Sequence, residues 1–281
     1  MPMGISLNRY LLVSVLLLWC LPVLASSVAE EQLQYRVSYR GIFSAGAKVS
    51  IADVVLRTRQ PSGKSPYLES ELTVTSAPYA YVESFYPIRY RFSSWYWSDR
   101  SGVLASEYFE YGRADDIEHK LTYLDKRDKP FVTRNLPPGG QSDLALLRSG
   151  SYQPASAPGE RRAFDRLGLL QRVRGLDLRP AQEIEASVSN GSKMLRYRVK
   201  VEAAVPLRVA GRDWSALKLR FDGIEQDKHG NEKYAHRPVY IWLSADQRHI
   251  PLLAESKHAL GRFRVELTSS QIPTRVAQVG E

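Results

Sequence analysis

One cysteine, Cys20, is all the 281-residue chain contains. It sits inside an N-terminal segment that reads as removable, so the mature chain carries no thiol. Disulfide staples, on which small exported scaffolds rely, and cysteine nucleophiles are therefore both excluded. Other absences narrow the field further. There is no G-x-S-x-G turn, no H-E-x-x-H pair, and no G-x-x-x-x-G-K-S/T or G-x-G-x-x-G loop. Those patterns serve nucleophilic hydrolases, zinc peptidases and nucleotide-binding folds. Their absence excludes families built on them, but not a site assembled from scattered residues. No apolar run reaches the roughly 20 residues a spanning helix needs. No internal repeat and no low-complexity tract is present.

The first residues give an address. Arg9 supplies a lone positive charge, an apolar run follows from Tyr10 to Leu18, and Pro22 ends it. Val23 and Ala25 place small residues three and one positions before a cut. This is the order of a secretory signal peptide, and it predicts cleavage after Ala25 and release into the periplasm. An uncut N-terminal anchor is the alternative. Cys20 does not suit lipidation, because Trp19 stands where a small residue is needed. Without disulfides, residues 26–281 must be held by a hydrophobic core, and their length suits one large β domain or two small ones.

The formal net charge is +9. A basic balance often signals nucleic acid, but an exported protein rarely meets any, so none is expected as a partner. A lipid or another anionic envelope component is the better counterpart, and another envelope protein is a further candidate.

What the chain does have is strand periodicity. Leu33, Tyr35, Val37 and Tyr39 alternate with polar residues, as in a half-buried strand. Similar segments follow at 47–56, 68–75, 88–97, 103–111, 119–124 and 131–133. They resume at 183–189, 195–203, 215–221, 239–243, 252–256 and 263–267. More than ten short strands between turn signals predict a mainly β protein, an antiparallel curved sheet or open barrel. One segment breaks the rhythm. Phe164, Leu167, Leu170 and Val173 recur at spacing three, with Asp165 near the start and Gly175 past the end. This predicts one covering helix near 160–175. A loop at 150–159, rich in Ser, Pro, Ala and Gly, precedes it, and a single domain over 26–281 is expected around both.

Chemistry-bearing clusters are sparse. His229, Glu232 and His236 resemble metal ligands in type, but lie among Lys228, Gly230, Asn231 and Lys233, as in a solvated hairpin tip. No metal and no cofactor is expected. The acids Asp115, Asp116 and Glu118 read as a solvent-facing turn, and His119, His249 and His258 as structural imidazoles. Two features carry a binding hypothesis. The aromatic run from 79 to 97 includes Tyr81, Phe85, Tyr90, Trp95 and Trp97, and either lines a pocket or fills the core. Arg166, Arg172 and Arg174 crowd the helix, and either meet an anionic head group or form a solvated face.

Four blocks carry a resemblance. They are L-Q-Y-R-V-S-Y-R-G-I-F-S-A-G at 33–46, V-E-S-F-Y-P-I-R-Y-R-F at 82–92, D-R-L-G-L-L-Q-R-V-R at 165–174, and I-W-L-S-A-D-Q-R-H-I-P-L-L-A-E-S-K at 241–257, followed by Gly261. In this order they resemble the exported domain-of-unknown-function family three-one-zero-eight of Gram-negative bacteria. The stretch at 148–159 departs from it. The resemblance implies a periplasmic β-rich protein and no established activity, so it assigns no catalytic residue.

The expectation is a non-enzymatic periplasmic module for an apolar or amphipathic ligand, shaped like a lipocalin or lipoprotein-carrier half barrel around its helix. An enzyme acting on envelope glycans or lipids, built on His249, Asp246 or the acids near Asp116, is the first rival. A scaffold for another envelope protein, bound through a sheet edge, is the second.

Overall fold

The computed structural model describes residues 30–62, 65–112, 117–124, 131–136, 144–150, 163–227 and 229–271. The expected signal segment, most of the 150–159 loop, and Asp115 and Asp116 lie outside these residues. The protein is mostly β. In chain order the strands are β1 (Glu31–Gly41), β2 (Val49–Arg59), β3 (Tyr67–Thr75), β4 (Arg89–Trp97), β5 (Val103–Tyr111), β6 (Ile117–Tyr123), β7 (Val132–Asn135), β8 (Ala163–Phe164), β9 (Glu183–Ser189), β10 (Met194–Val209), β11 (Arg212–Gln226), β12 (Glu232–Tyr234), β13 (Val239–Ser244), β14 (Pro251–His258) and β15 (Gly261–Gln271). Among the described residues three short α-helices interrupt them: α1 (Ala80–Phe85), α2 (Leu144–Arg148) and α3 (Arg166–Arg174).

All the strands form one sheet in the order β7-β6-β5-β4-β3-β2-β1-β15-β14-β13-β11-β10-β9-β8, with β12 paired to β11. The sheet is curved and does not close, because its two edge strands, β7 and β8, do not pair with each other. The first and last strands meet in its middle, Tyr39 opposite Phe263 and Val37 opposite Val265. Pairing is antiparallel except for β8 on β9. The family-like blocks at 82–92 and 241–257 thus feed the same sheet.

Helix α3 lies on the concave face. Leu169 and Val173 pack into one apolar cluster with Tyr96, Val188, Val199, Val201, Leu219 and Leu243. Leu167 packs into another with Leu33, Tyr35, Val54, Ile250 and Leu252. Because buried residues fall on every side of it, the helix is a plug rather than a surface helix. Gly168 lets it seat deeply, since a Cβ there would lie 2.2 Å from a Val103 methyl. The helix is shorter than expected. Residues 163–164 extend beside β9 instead, and Asp165 then caps α3.

A third apolar cluster lies on the convex face, where Leu144 and Leu147 of α2 cover Tyr67, Trp95, Leu104 and Leu121. The three clusters divide the aromatics of β4 by parity, two of them on its helix side and one on the other. Tyr90, Phe92 and Tyr96 face the helix, and Trp95 and Trp97 face α2. Among the described residues no helix is long and apolar enough to cross a membrane.

Candidate functional site

Between α3 and the concave sheet runs a cleft of about 870 Å³, in the size range of small-molecule sites. Leu72, Tyr90, Phe92 and Tyr108 make one wall. Tyr197, Phe221, Val239 and Ile241 make the other, and Leu167, Leu169 and Leu170 of α3 form the floor between them. Each strand places these side chains on its inward parity, so the walls are continuous apolar surface. Tyr108 keeps its proton: burial and the neighbouring Glu110 carboxylate, which accepts from its hydroxyl, both push its pKa up.

The cleft opens at one end of the sheet, where β4, β6 and β13 begin and β5, β9 and β14 end. Its rim is polar. Glu118 and Lys120 form an ion pair there. His236 is held by the Tyr197 hydroxyl at 2.8 Å, and His258 by Ser256 at 3.1 Å. Arg166 and Arg237 are exposed on the rim and have no ion-pair partner among the described residues.

Asp165 marks the inner end of the rim. Its Oδ1 accepts from the Gly168 backbone N–H at 2.6 Å and its Oδ2 from the Ser94 hydroxyl at 2.7 Å. Burial pushes its pKa up to about 6, although both hydrogen bonds pull the other way. The folded protein therefore binds this proton more tightly than the unfolded chain. The stabilisation that follows is complete below the ordinary value of 3.8 and is lost as pH rises through about 6. Asp165→Asn keeps the shape without the titration. The stability gap between the wild type and this variant is expected to shift by about 2–3 kcal/mol between pH 4 and pH 8. Urea titrations across that range measure it, and a constant gap would contradict the assignment.

The aromatics singled out by the sequence part company here. Tyr90 lines the cleft. Trp95 is fully buried on the opposite face of the same strand, and Trp97 packs beside it. Tyr81 and Phe85 stand exposed on α1, their rings 5.2 Å apart. The arginines separate likewise. Arg166 reaches the rim, while Arg172 is half-buried away from the cleft. Arg174 is buried under the far end of α3, donating to both Glu31 carboxylate oxygens at 2.7 and 2.8 Å and to the His249 carbonyl at 3.0 Å. It is a fastener of the fold and does not face the cleft. Reasoning from the sequence missed Tyr108, Phe221 and Arg237 and gave His236 and His258 other roles; they come from β5, β11, β14 and the β12–β13 connection, which are distant in the chain.

Two of the groups considered for catalysis, Asp246 and His249, are engaged structurally. Asp246 accepts from the Ser244 hydroxyl at 2.6 Å and pairs with Arg248 at 2.7 Å within the β13–β14 turn. His249 follows it, buried, with Nδ1 3.1 Å from the Arg174 carbonyl. Among the described residues no three His, Cys, Asp or Glu side chains gather as a metal would require. A second depression of about 390 Å³ is lined by Glu30, Gln32, Arg57, Arg59, Glu69 and Glu71. Among the described residues both of its cations are taken up by its own carboxylates, Arg59 by Glu69 at 2.9 Å and Arg57 by Glu30 at 3.6 Å and Glu71 at 3.9 Å.

The model of the DUF3108 family, described as a protein of unknown function, matches residues 34–268. The chain belongs to that family. No curated protein matches it. Among solved structures, this DUF3108 chain is similar to a β-barrel-like protein of the domain-of-unknown-function family DUF1849 from Brucella abortus. The TM-score is 0.53 at 9% identity, over 88% of this chain and 98% of that one. At such identity the likeness speaks for the fold alone. A candidate lipoprotein from Parabacteroides distasonis aligns at TM-score 0.31 and 9% identity, over 86% of this chain and 95% of that one. A candidate exported protein with a YmcC-like fold from Bacteroides fragilis aligns at 0.31 and 6%, with the same coverage. Neither of these two bears on the architecture.

Proposed function

We propose that this DUF3108 protein is a non-enzymatic binding protein of the periplasm, whose cleft takes the apolar chain of an amphipathic ligand with an anionic head. The observation that carries the reading is an apolar cleft of about 870 Å³ with two arginines unmatched at its rim. Each methylene moved from water onto those walls contributes about 0.8 kcal/mol. Arg166 and Arg237 orient the head by charge-assisted hydrogen bonds, and the rim histidines add polar contacts. Export by the N-terminal segment, with cleavage after Ala25, brings the mature protein to a compartment rich in such ligands.

A fluorescent long-chain fatty acid tests the reading. Saturable binding is expected, displaced by unlabelled fatty acid. Leu170→Glu, which puts a charge on the cleft floor, is expected to weaken binding at least tenfold. Arg166→Gln with Arg237→Gln weakens carboxylate binding but not that of the matching neutral alcohol. A wild type that binds no fatty acid, and carries no lipid by native mass spectrometry when purified from periplasm, would end the proposal. Intact mass of the same sample reads the cleavage site.

A further inference from the structure

The end of the sheet that holds the cleft mouth also carries large apolar side chains that are among the most exposed of the described residues. Ile42 and Phe43, in the 3-10 turn Ile42–Ser44 after β1, are 66% and 68% exposed, and Leu260 in the β14–β15 turn is 50% exposed. These are not residues of a slack loop. The Leu260 carbonyl accepts from the Tyr39 hydroxyl at 2.6 Å and from the Ile42 N–H at 3.2 Å, which holds the two turns side by side. Gly41 makes the approach feasible, because a Cβ there would lie 2.2 Å from both that carbonyl and the Tyr39 hydroxyl oxygen. The Ser44 hydroxyl, accepting from the Gly41 N–H at 3.1 Å, closes the turn. A fixed scaffold thus presents an apolar prong to solvent, where burial elsewhere would be more favourable.

Directly beneath the prong three cations meet across strands. Arg40 of β1 lies opposite Arg262 of β15, and Arg262 opposite Lys257 of β14. All three are exposed and none has an acidic partner among the described residues. Like charges placed directly opposite one another weaken a sheet, so the fold gains nothing from this arrangement. Behind the prong a chain of rings, Phe43 to Tyr39 to Phe263 to His258 with centroids 6.4, 5.1 and 5.6 Å apart, runs to the cleft rim. At the same end of the sheet, between β3 and β4, Tyr81 and Phe85 of α1 and the following Tyr86 are also exposed.

We infer that this end of the protein docks on an anionic lipid bilayer. Ile42, Phe43 and Leu260 enter the interface, and Arg40, Lys257 and Arg262 meet the lipid phosphates. An apolar tip backed by cations is the pattern by which a folded surface binds a charged membrane without crossing it. The docking does not depend on whether the cleft is occupied.

Co-sedimentation with vesicles of phosphatidylethanolamine and phosphatidylglycerol, against vesicles of phosphatidylcholine alone, tests the inference. Binding is expected to the anionic vesicles and to weaken with added salt. The triple variant Arg40→Gln, Lys257→Gln, Arg262→Gln is expected to lose affinity roughly a hundredfold, about fivefold per cation. Ile42→Ser with Phe43→Ser abolishes the salt-resistant part. A control triple at the opposite end, Arg179→Gln, Arg208→Gln and Arg212→Gln, carries the same charge change and keeps binding. Thermal melts check that each variant remains folded. Equal loss in both triples would mean attraction by net charge alone and overturn the inference. So would a wild type that stays in the supernatant, or a dimer in size-exclusion chromatography that Phe43→Ser dissolves. Fatty-acid binding is read separately, so its failure and the failure of docking are distinguishable.

Discussion

Trp95→Ala is expected to lower the stability of the fold by about 3–5 kcal/mol while leaving fatty-acid affinity in the cleft unchanged. Trp95 is fully buried on the convex side of β4, where Tyr67, Leu104, Leu121, Leu144 and Leu147 surround it. Removing the indole leaves a cavity that these neighbours, fixed on three strands and a helix, cannot fill. The Arg148 guanidinium lies 6.0 Å from its ring and also pairs with Glu107 at 2.6 Å, so loss of the ring loosens α2 as well. Among the described residues the indole nitrogen has no hydrogen-bond partner. Trp95→Phe therefore gives up volume but no polar contact, and costs less than half as much. Chemical denaturation and ligand titration on the same samples separate the two roles. A variant that keeps its stability but loses the fatty acid would place Trp95 in the binding path.

That distinction shows what local pattern could and could not reveal. The strands were legible because alternation is a local signal: 183–189 and 103–111 match β9 and β5 residue for residue. The aromatic run was legible as strand but not as site. Period two sends Tyr90 and Phe92 to the cleft and Trp95 and Trp97 to the other face, so a dense run of rings is two half-sets with separate tasks. Applying the parity of β4 to the sequence would have shown that split. The short helices α1 and α2 span 6 and 5 residues, too few for a helical period to declare itself. Residues 163–164 entered the expected helix because Phe164 continues its apolar spacing, yet pairing with β9 takes precedence. The cleft could not be assembled from spacing at all. Its walls join β3–β6 to β10–β14, and that neighbourhood depends on β1 pairing with β15 across the whole chain.

Arg174 carries the other large effect, and its reassignment from rim to fastener can be tested directly. Its guanidinium ties the last turn of α3 to β1 through two bonds to Glu31, and to the β13–β14 turn through the carbonyls of His249 and Arg248. Burial alone would lower its pKa, but the hydrogen bonds and charge of Glu31 outweigh that and raise it, so the group stays charged. The cation also sits at a helix C-terminus, where the backbone dipole favours it. Arg174→Met leaves Glu31 and two carbonyls without their donor, and is expected to cost about 3–5 kcal/mol. Arg174→Lys recovers little, because one ammonium cannot reach both carboxylate oxygens and the carbonyls in the same geometry. The informative variant is the double one. If the penalty comes from an uncompensated carboxylate, Arg174→Met with Glu31→Gln is more stable than Arg174→Met alone, with a coupling of about 1–3 kcal/mol in a double-mutant cycle. Additive losses would mean that Arg174 acts through packing instead. Fatty-acid affinity stays unchanged in all of these while the protein is folded, since the fastener lies at the end of α3 away from the cleft mouth.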